Sequence, residues 1–191
     1  MTTIEPTSLP FTGDAAADAL LASDPLALLI GFVLDQQVTV QKAFAGPAEL
    51  RRRLGTLDAV ALAAIEPGAF AAAFVTRPAL HRFPGAMAGR VQELCVVIAR
   101  DHAGDASRVW TEARDGADLE RRLRALPGIG EMKARTLVGL LARRFGVRPP
   151  GWESVAPTGP TLADVDSAES LARYQEQKRA WKASQRAPGR G

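Results

Sequence analysis

The stretch Leu126-Pro127-Gly128-Ile129-Gly130-Glu131-Met132-Lys133-Ala134 constrains this chain more than any other. On one side, Asp118 to Ala125 carries Leu119 and Leu123 on a single stripe that Leu126 continues; on the other, Glu131 to Phe145 carries Ala134, Leu137, Val138, Leu141 and Phe145. Two glycines one residue apart permit left-handed backbone angles and leave the tip without side chains. The pattern predicts two helices joined by a tight turn, a helix-hairpin-helix over 118–146. Backbone N–H groups in such a turn, together with the positive end of the second helix, suit a phosphate oxyanion. Leu-Pro-Gly also ends ordinary αα-corners, so the segment by itself leaves both readings open.

A chain of 191 residues has room for one substantial core or for two small lobes sharing one. Its 47% hydrophobic content is dominated by Ala and Leu and includes a single Tyr, which favours helices over sheet and predicts an all-α fold. Net charge is +3, and the charge is unevenly distributed: Arg173, Lys178, Arg179, Lys182, Arg186 and Arg190 make the C-terminal segment basic against Glu176, a lean towards a polyanion or simply a solvated tail. Cys95 is the only cysteine, on the apolar stripe of Ala88, Val91, Leu94 and Ile98, so disulfides within the chain and any four-thiolate cluster are excluded. The N-terminus lacks a basic region followed by an apolar one, and the longest apolar run, Pro25 to Leu34, is too short to span a bilayer. These features predict a cytoplasmic protein with no membrane partner, expected as a monomer.

Residues 1–12, with Pro6 and Pro10, read as an extended leader before a single two-lobed domain over 13–186. Asp14 to Ala22 is a short helix. Ser23-Asp24-Pro25 is a helix start, and the helix it opens is predicted to run from Pro25 to Phe44, apolar nearly all round until Asp35. Short helices follow at Pro47 to Leu54, Leu57 to Ile65 and Ala69 to Phe74, then a long amphipathic one from Gly85 to His102 stopped by Gly104. Trp110 is expected in a short buried helix before the hairpin. Past Phe145, a Pro/Gly-rich loop over 146–161 leads to a final helix over 162–184, and 187–191 are expected to fray.

With the hairpin placed, two further stretches resemble the helix-hairpin-helix (HhH-GPD) DNA glycosylase superfamily, which includes endonuclease III and the adenine and alkyl-base glycosylases. Asp24-Pro25-Leu26 through Leu34-Asp35-Gln36-Gln37-Val38 resembles its central helix, and Gly89-Arg90-Val91-Gln92-Glu93-Leu94 through Gly104-Asp105 resembles a later helix and the glycine after it. Order and spacing agree over about residues 14–146, and the chain looks like a short bacterial member without an iron–sulfur cluster. The resemblance implies two helical lobes flanking a cleft, the hairpin beside it, and double-stranded DNA as partner, with a damaged or mispaired base turned out of the helix. It implies no resident cofactor beyond a monovalent cation at the hairpin carbonyls when DNA is bound. Gln37 matches the family's wedge glutamine, which fills the gap left by the flipped base; capping or solvation is the plainer use of Gln36 and Gln37.

Breaking an N-glycosidic bond passes through a cationic sugar, so a carboxylate must stabilise charge or activate water. The family places an aspartate about twenty residues beyond the hairpin, before another helix. Here Asp164 lies 34 residues beyond Gly130, and it is the first choice because Leu162-Ala163-Asp164-Val165 has the right context. Glu153, Asp166 and Asp35 are the rivals; Asp164 and Asp166 also read as N-terminal caps, Glu153 as a loop carboxylate and Asp35 as a polar residue ending an apolar face. Bifunctional members attack the sugar with a lysine two residues after the second glycine, where this chain has Met132. Lys133 is one residue further, turned about 100° around a helix, so it is expected to face a phosphate or solvent and lyase activity is not expected. Gly128, Ile129, Gly130, Lys133 and Arg148 are the candidate DNA contacts, with Arg90, Arg143 and Arg144 as further phosphate candidates, and Trp152 is a candidate stacking surface for the base. His81 and His102 lack metal-ligand spacing and read as structural. The leading expectation is a monofunctional DNA glycosylase; the alternative is a catalytically silent DNA-binding module.

Overall fold

A computed structural model describes residues 6–186, and among them it has eleven α-helices, one 3-10 turn and no strand. The all-α expectation holds. Residues 1–5 of the expected leader, the expected frayed tail at 187–191, and the side chains of Lys182 and Arg186 lie outside the described residues.

The core is organised by α2 (Pro25–Leu34), which follows α1 (Ala15–Ser23). Asp24 caps α2 by accepting the N–H groups of Leu26 and Ala27 at 2.9 and 3.0 Å, and Pro25 occupies the first helical position, where an N–H would have no partner. Every residue of α2 after Pro25 is buried. Each large apolar side chain so placed contributes about 1.5–3 kcal/mol, which is why this helix carries no polar face. Ahead of α1, Leu9 and Phe11 are fully buried, and Phe11 meets Phe44 edge-on with ring centroids 5.0 Å apart.

The helix expected from Pro25 to Phe44 is broken. It stops at Leu34, and α3 (Val40–Leu54) begins after a five-residue turn, with the Thr39 hydroxyl accepting the Lys42 N–H at 3.2 Å. The β-branched run Val38-Thr39-Val40 and a side chain able to cap account for the restart. Conversely, α3 runs through Pro47, where a new helix was expected. A mid-helix proline costs about 3 kcal/mol. Burial of Phe44 and Leu50 on the same face offsets that by about 3–6 kcal/mol.

Helices α4 (Ala59–Ala64), α5 (Pro67–Val75) and α6 (Pro84–Asp101) come next, at the expected breakers. Cys95 on α6 is fully buried and burial pushes its thiol up to about 12, so it is an inert core residue. Trp110 sits buried in α7 (Arg108–Thr111). Then come α8 (Gly116–Arg124) and α9 (Glu131–Arg144), the two arms of the predicted hairpin. Closely packed helix pairs fall into two sets, one made of α1 to α6 and the other of α7 to α9 with the C-terminal elements. The 146–161 loop contains a short α10 (Trp152–Val155) packed on α8 and α9. The last helix begins later than expected: residues 162–164 form the 3-10 turn, and α11 (Ala168–Arg186) starts after Ser167, whose hydroxyl accepts the Ser170 N–H at 3.2 Å.

Candidate nucleic-acid interface

The turn between α8 and α9 is anchored from beneath and open above. Leu126 and Ile129 are buried, whereas Gly130 is exposed. Gly128 has φ +79°, a left-handed angle, and a Cβ there would lie 3.0 Å from Val33 Cγ1, so the end of α2 is the floor of the hairpin. Gly130 precedes α9 in extended backbone, with no side-chain cap and nothing within 4 Å of where a Cβ would stand. The first-turn N–H groups of a 14-residue helix, which have no partners within the helix, therefore face outward.

They open onto a groove of about 710 Å³ that also receives Arg90 from α6, Arg124 from the end of α8, Gln36, Lys133 and the carboxylate of Glu131, which lies 4.0 Å from Arg124. Lys133 departs from expectation. Instead of facing solvent it lies half-buried, its Nζ 3.4 Å from the carbonyl oxygens of both Val33, at the end of α2, and Gly128. Burial pushes its ammonium down to about 8; the carboxylate of Asp35 opposes the shift, and the like charges of Arg90 and Lys178 add to it. Met132, at the position of the family's lysine, is 77% exposed. Of the hairpin carbonyls, Leu126 O accepts the Ile129 N–H and Gly128 O lies 3.4 Å from the Lys133 ammonium.

Beside the groove, the turn between α2 and α3 carries Gln37, exposed and at φ +55°. A non-glycine residue in that region is strained and persists only where its surroundings hold it. Buried His81 does so: its Nδ1 accepts the Phe83 N–H at 3.0 Å, which leaves Nε2–H to donate to Leu34 O at 3.1 Å and Gln36 O at 2.9 Å. The Gln36 side-chain amide donates to Val33 O at 2.9 Å, and its Oε1 accepts from Arg90 at 2.9 Å. His102, at the end of α6, keeps a buried Nδ1 without a partner among the described residues, and burial holds its pKa below the usual histidine range.

The three candidate carboxylates fall at different places on the fold. Asp164 does not reach the hairpin groove: it accepts the Thr161 N–H in a capping box, pairs with Arg143, and sits beside Ala163, which packs against Gly139. Gly139 is roughly 13 Å along α9 from its first turn at 1.5 Å per residue. The Pro/Gly-rich loop folds back along α9 and so carries Asp164 away from the tip. Arg148 departs in the same way, donating to Ala142 O at 3.0 Å at the far end of α9. Glu153 is exposed on α10 and lines a second groove of about 690 Å³ with Glu131 and Met132, on the other flank of the α9 N-terminus. Asp35 is half-buried, and among the described residues no hydrogen bond occupies its side chain. Trp152 packs half-buried against the core, its backbone pressed so close to Gly116 that a Cβ there would lie 2.7 Å away; it lines neither groove.

Two groove residues escape a reading of the sequence. Arg124 gives a signal, a basic residue in the last turn before the hairpin; Gln36 gives none, because its partner Arg90 is 54 residues away in sequence. Compared with protein-family models and with curated proteins, the chain finds no match in either.

Proposed function

We propose that this protein binds the phosphate backbone of double-stranded DNA through the 126–133 hairpin and acts there as a monofunctional base-excision glycosylase of the helix-hairpin-helix type, the two helix sets forming its two lobes. One observation carries the reading: an uncapped α9 N-terminus opens onto a groove that gathers the cations Arg90, Arg124 and Lys133 around the single carboxylate of Glu131, which leaves the groove net positive. Gln37, held outward by the turn beneath it, supplies the wedge. Asp35 replaces Asp164 as the preferred carboxylate, since its charge acts on Lys133 at the groove and no hydrogen bond neutralises its side chain. Lyase chemistry does not belong to this reading, because the Lys133 amine is turned under the hairpin and Met132 points out.

A second reading, a DNA-binding module without catalysis, is favoured by one feature: the carboxylate in the expected sequence context, Asp164, is committed to Arg143 and Thr161. A panel of duplexes, each carrying one damaged or mispaired base, separates the two when assayed for abasic sites. Cleavable abasic sites on at least one duplex support the glycosylase; tight binding with no product on any of them leaves the silent module.

A further inference from the structure

Three side chains link the anion groove to the Gln37 turn. Arg90 Nη1 donates to Gln36 Oε1, Gln36 Nε2 donates to Val33 O, and that same carbonyl lies 3.4 Å from Lys133 Nζ, which also reaches Gly128 O in the hairpin. The chain of contacts runs from α6 through the turn to the hairpin floor without a break. Arg90 is exposed and lines the groove, and the contact with Gln36 uses one of the five donors of a guanidinium. The rest of its planar fork is open to an oxyanion at the α9 N-terminus, a geometry a point-charge lysine does not reproduce. Gln37, next in sequence, holds the left-handed angle that makes this turn the strained segment of the region.

We propose that Arg90 and Gln36 are a positioning pair that couples a phosphodiester seated at the hairpin to the presentation of Gln37, so that backbone contact and base displacement are one event. This rests on the duplex-binding, base-flipping reading above. Arg90 holds both partners at once: a phosphate drawn to the groove fixes the guanidinium, the guanidinium fixes the Gln36 carboxamide, and the carboxamide fixes the turn. Without the link the protein still grips the backbone, and the turn relaxes. Gln36 acts through Gln37 and touches no reacting atom.

The test uses a duplex with 2-aminopurine beside a mismatch, whose fluorescence rises when the base unstacks, measured together with affinity by anisotropy and with thermal unfolding. Gln36→Leu leaves Arg90, Arg124 and Lys133 in place. Its affinity is expected to fall by less than about threefold while the fluorescence rise drops to about a third or less. Arg90→Lys is expected to lose the fluorescence rise as well, and the double variant to be no worse in that readout than the worse single one, as members of one coupled unit behave. If either variant does not fold, the other carries the comparison.

A loss of fluorescence in strict proportion to lost affinity, or a wild-type signal in both variants, overturns the coupling and leaves the duplex-binding reading standing. A wild type that binds without unstacking the base removes base flipping and this inference together. A wild type that does not bind duplex at low salt brings down the reading itself.

Discussion

Lys133→Met should stabilise the protein and weaken its hold on DNA. The lysine amine is pushed from 10.5 down to about 8, first by burial and then by Arg90 and Lys178, against the opposing pull of Asp35. A shift of that size corresponds to about 3 kcal/mol at 1.36 kcal/mol per unit, and about 2 kcal/mol remains after discounting for the part of the side chain still in water. The sign comes from proton counts. Between pH 8 and 10.5 the unfolded chain holds the lysine proton and the folded chain does not, so wild-type stability rises with pH through that window. Methionine has no proton to lose.

The variant should therefore melt higher than wild type below pH 8, by about 4–8 °C for a chain of this size, and the gap should close as pH approaches 10.5. Circular dichroism melts of both proteins in parallel, from pH 6 to 10.5, cancel every other titration. A gap that does not change with pH, or a variant that melts lower at neutral pH, would refute the placement of this amine. Duplex affinity at low salt should drop in the same variant, because the groove loses one positive charge.

Gly130→Asp puts a carboxylate where a phosphate is expected. It should cost at least about tenfold in duplex affinity while the melting temperature holds or rises slightly, because Asp is the better helix cap and nothing obstructs a Cβ there. Asp118 is buried at the start of α8, held near 2 by the Arg114 N–H and then by Arg121 and Arg122, so its stabilisation is present above its unfolded pKa of 3.8 and lost as pH falls to 2. Asp118→Asn should melt lower than wild type at pH 7, with the difference vanishing across that acid window; urea melts at stepped pH check it. Asp35→Asn should remove excision and leave binding intact, whereas Asp164→Asn should leave excision intact and lower stability through its lost cap; the reverse pattern in single-turnover assays would restore Asp164.

The features legible in the sequence are local. The cap at Asp24, the breakers between α3 and α6, the buried α2 and the two-glycine turn all depend on neighbours within a few positions. Even so, the apolar pattern over 25–44 outweighs the single hydroxyl of Thr39, which is why one helix was expected where two form. Site positions depend on distant partners and are less legible. Asp164 has the right flanking residues, yet the loop before it decides where it lands, and proline- and glycine-rich loops carry no periodicity to read. Helical rotation alone aims Lys133 at solvent; the end of α2, a hundred residues earlier, supplies the Val33 carbonyl that its amine meets.

The salt dependence of duplex binding tests the hairpin groove most directly. With Arg90 and Arg124 meeting phosphates, log affinity should fall against log salt with a slope of about −2, and Gly130→Asp should flatten that line as it lowers it. An affinity indifferent to salt, or a slope identical in wild type and Gly130→Asp, would contradict phosphate binding at this turn.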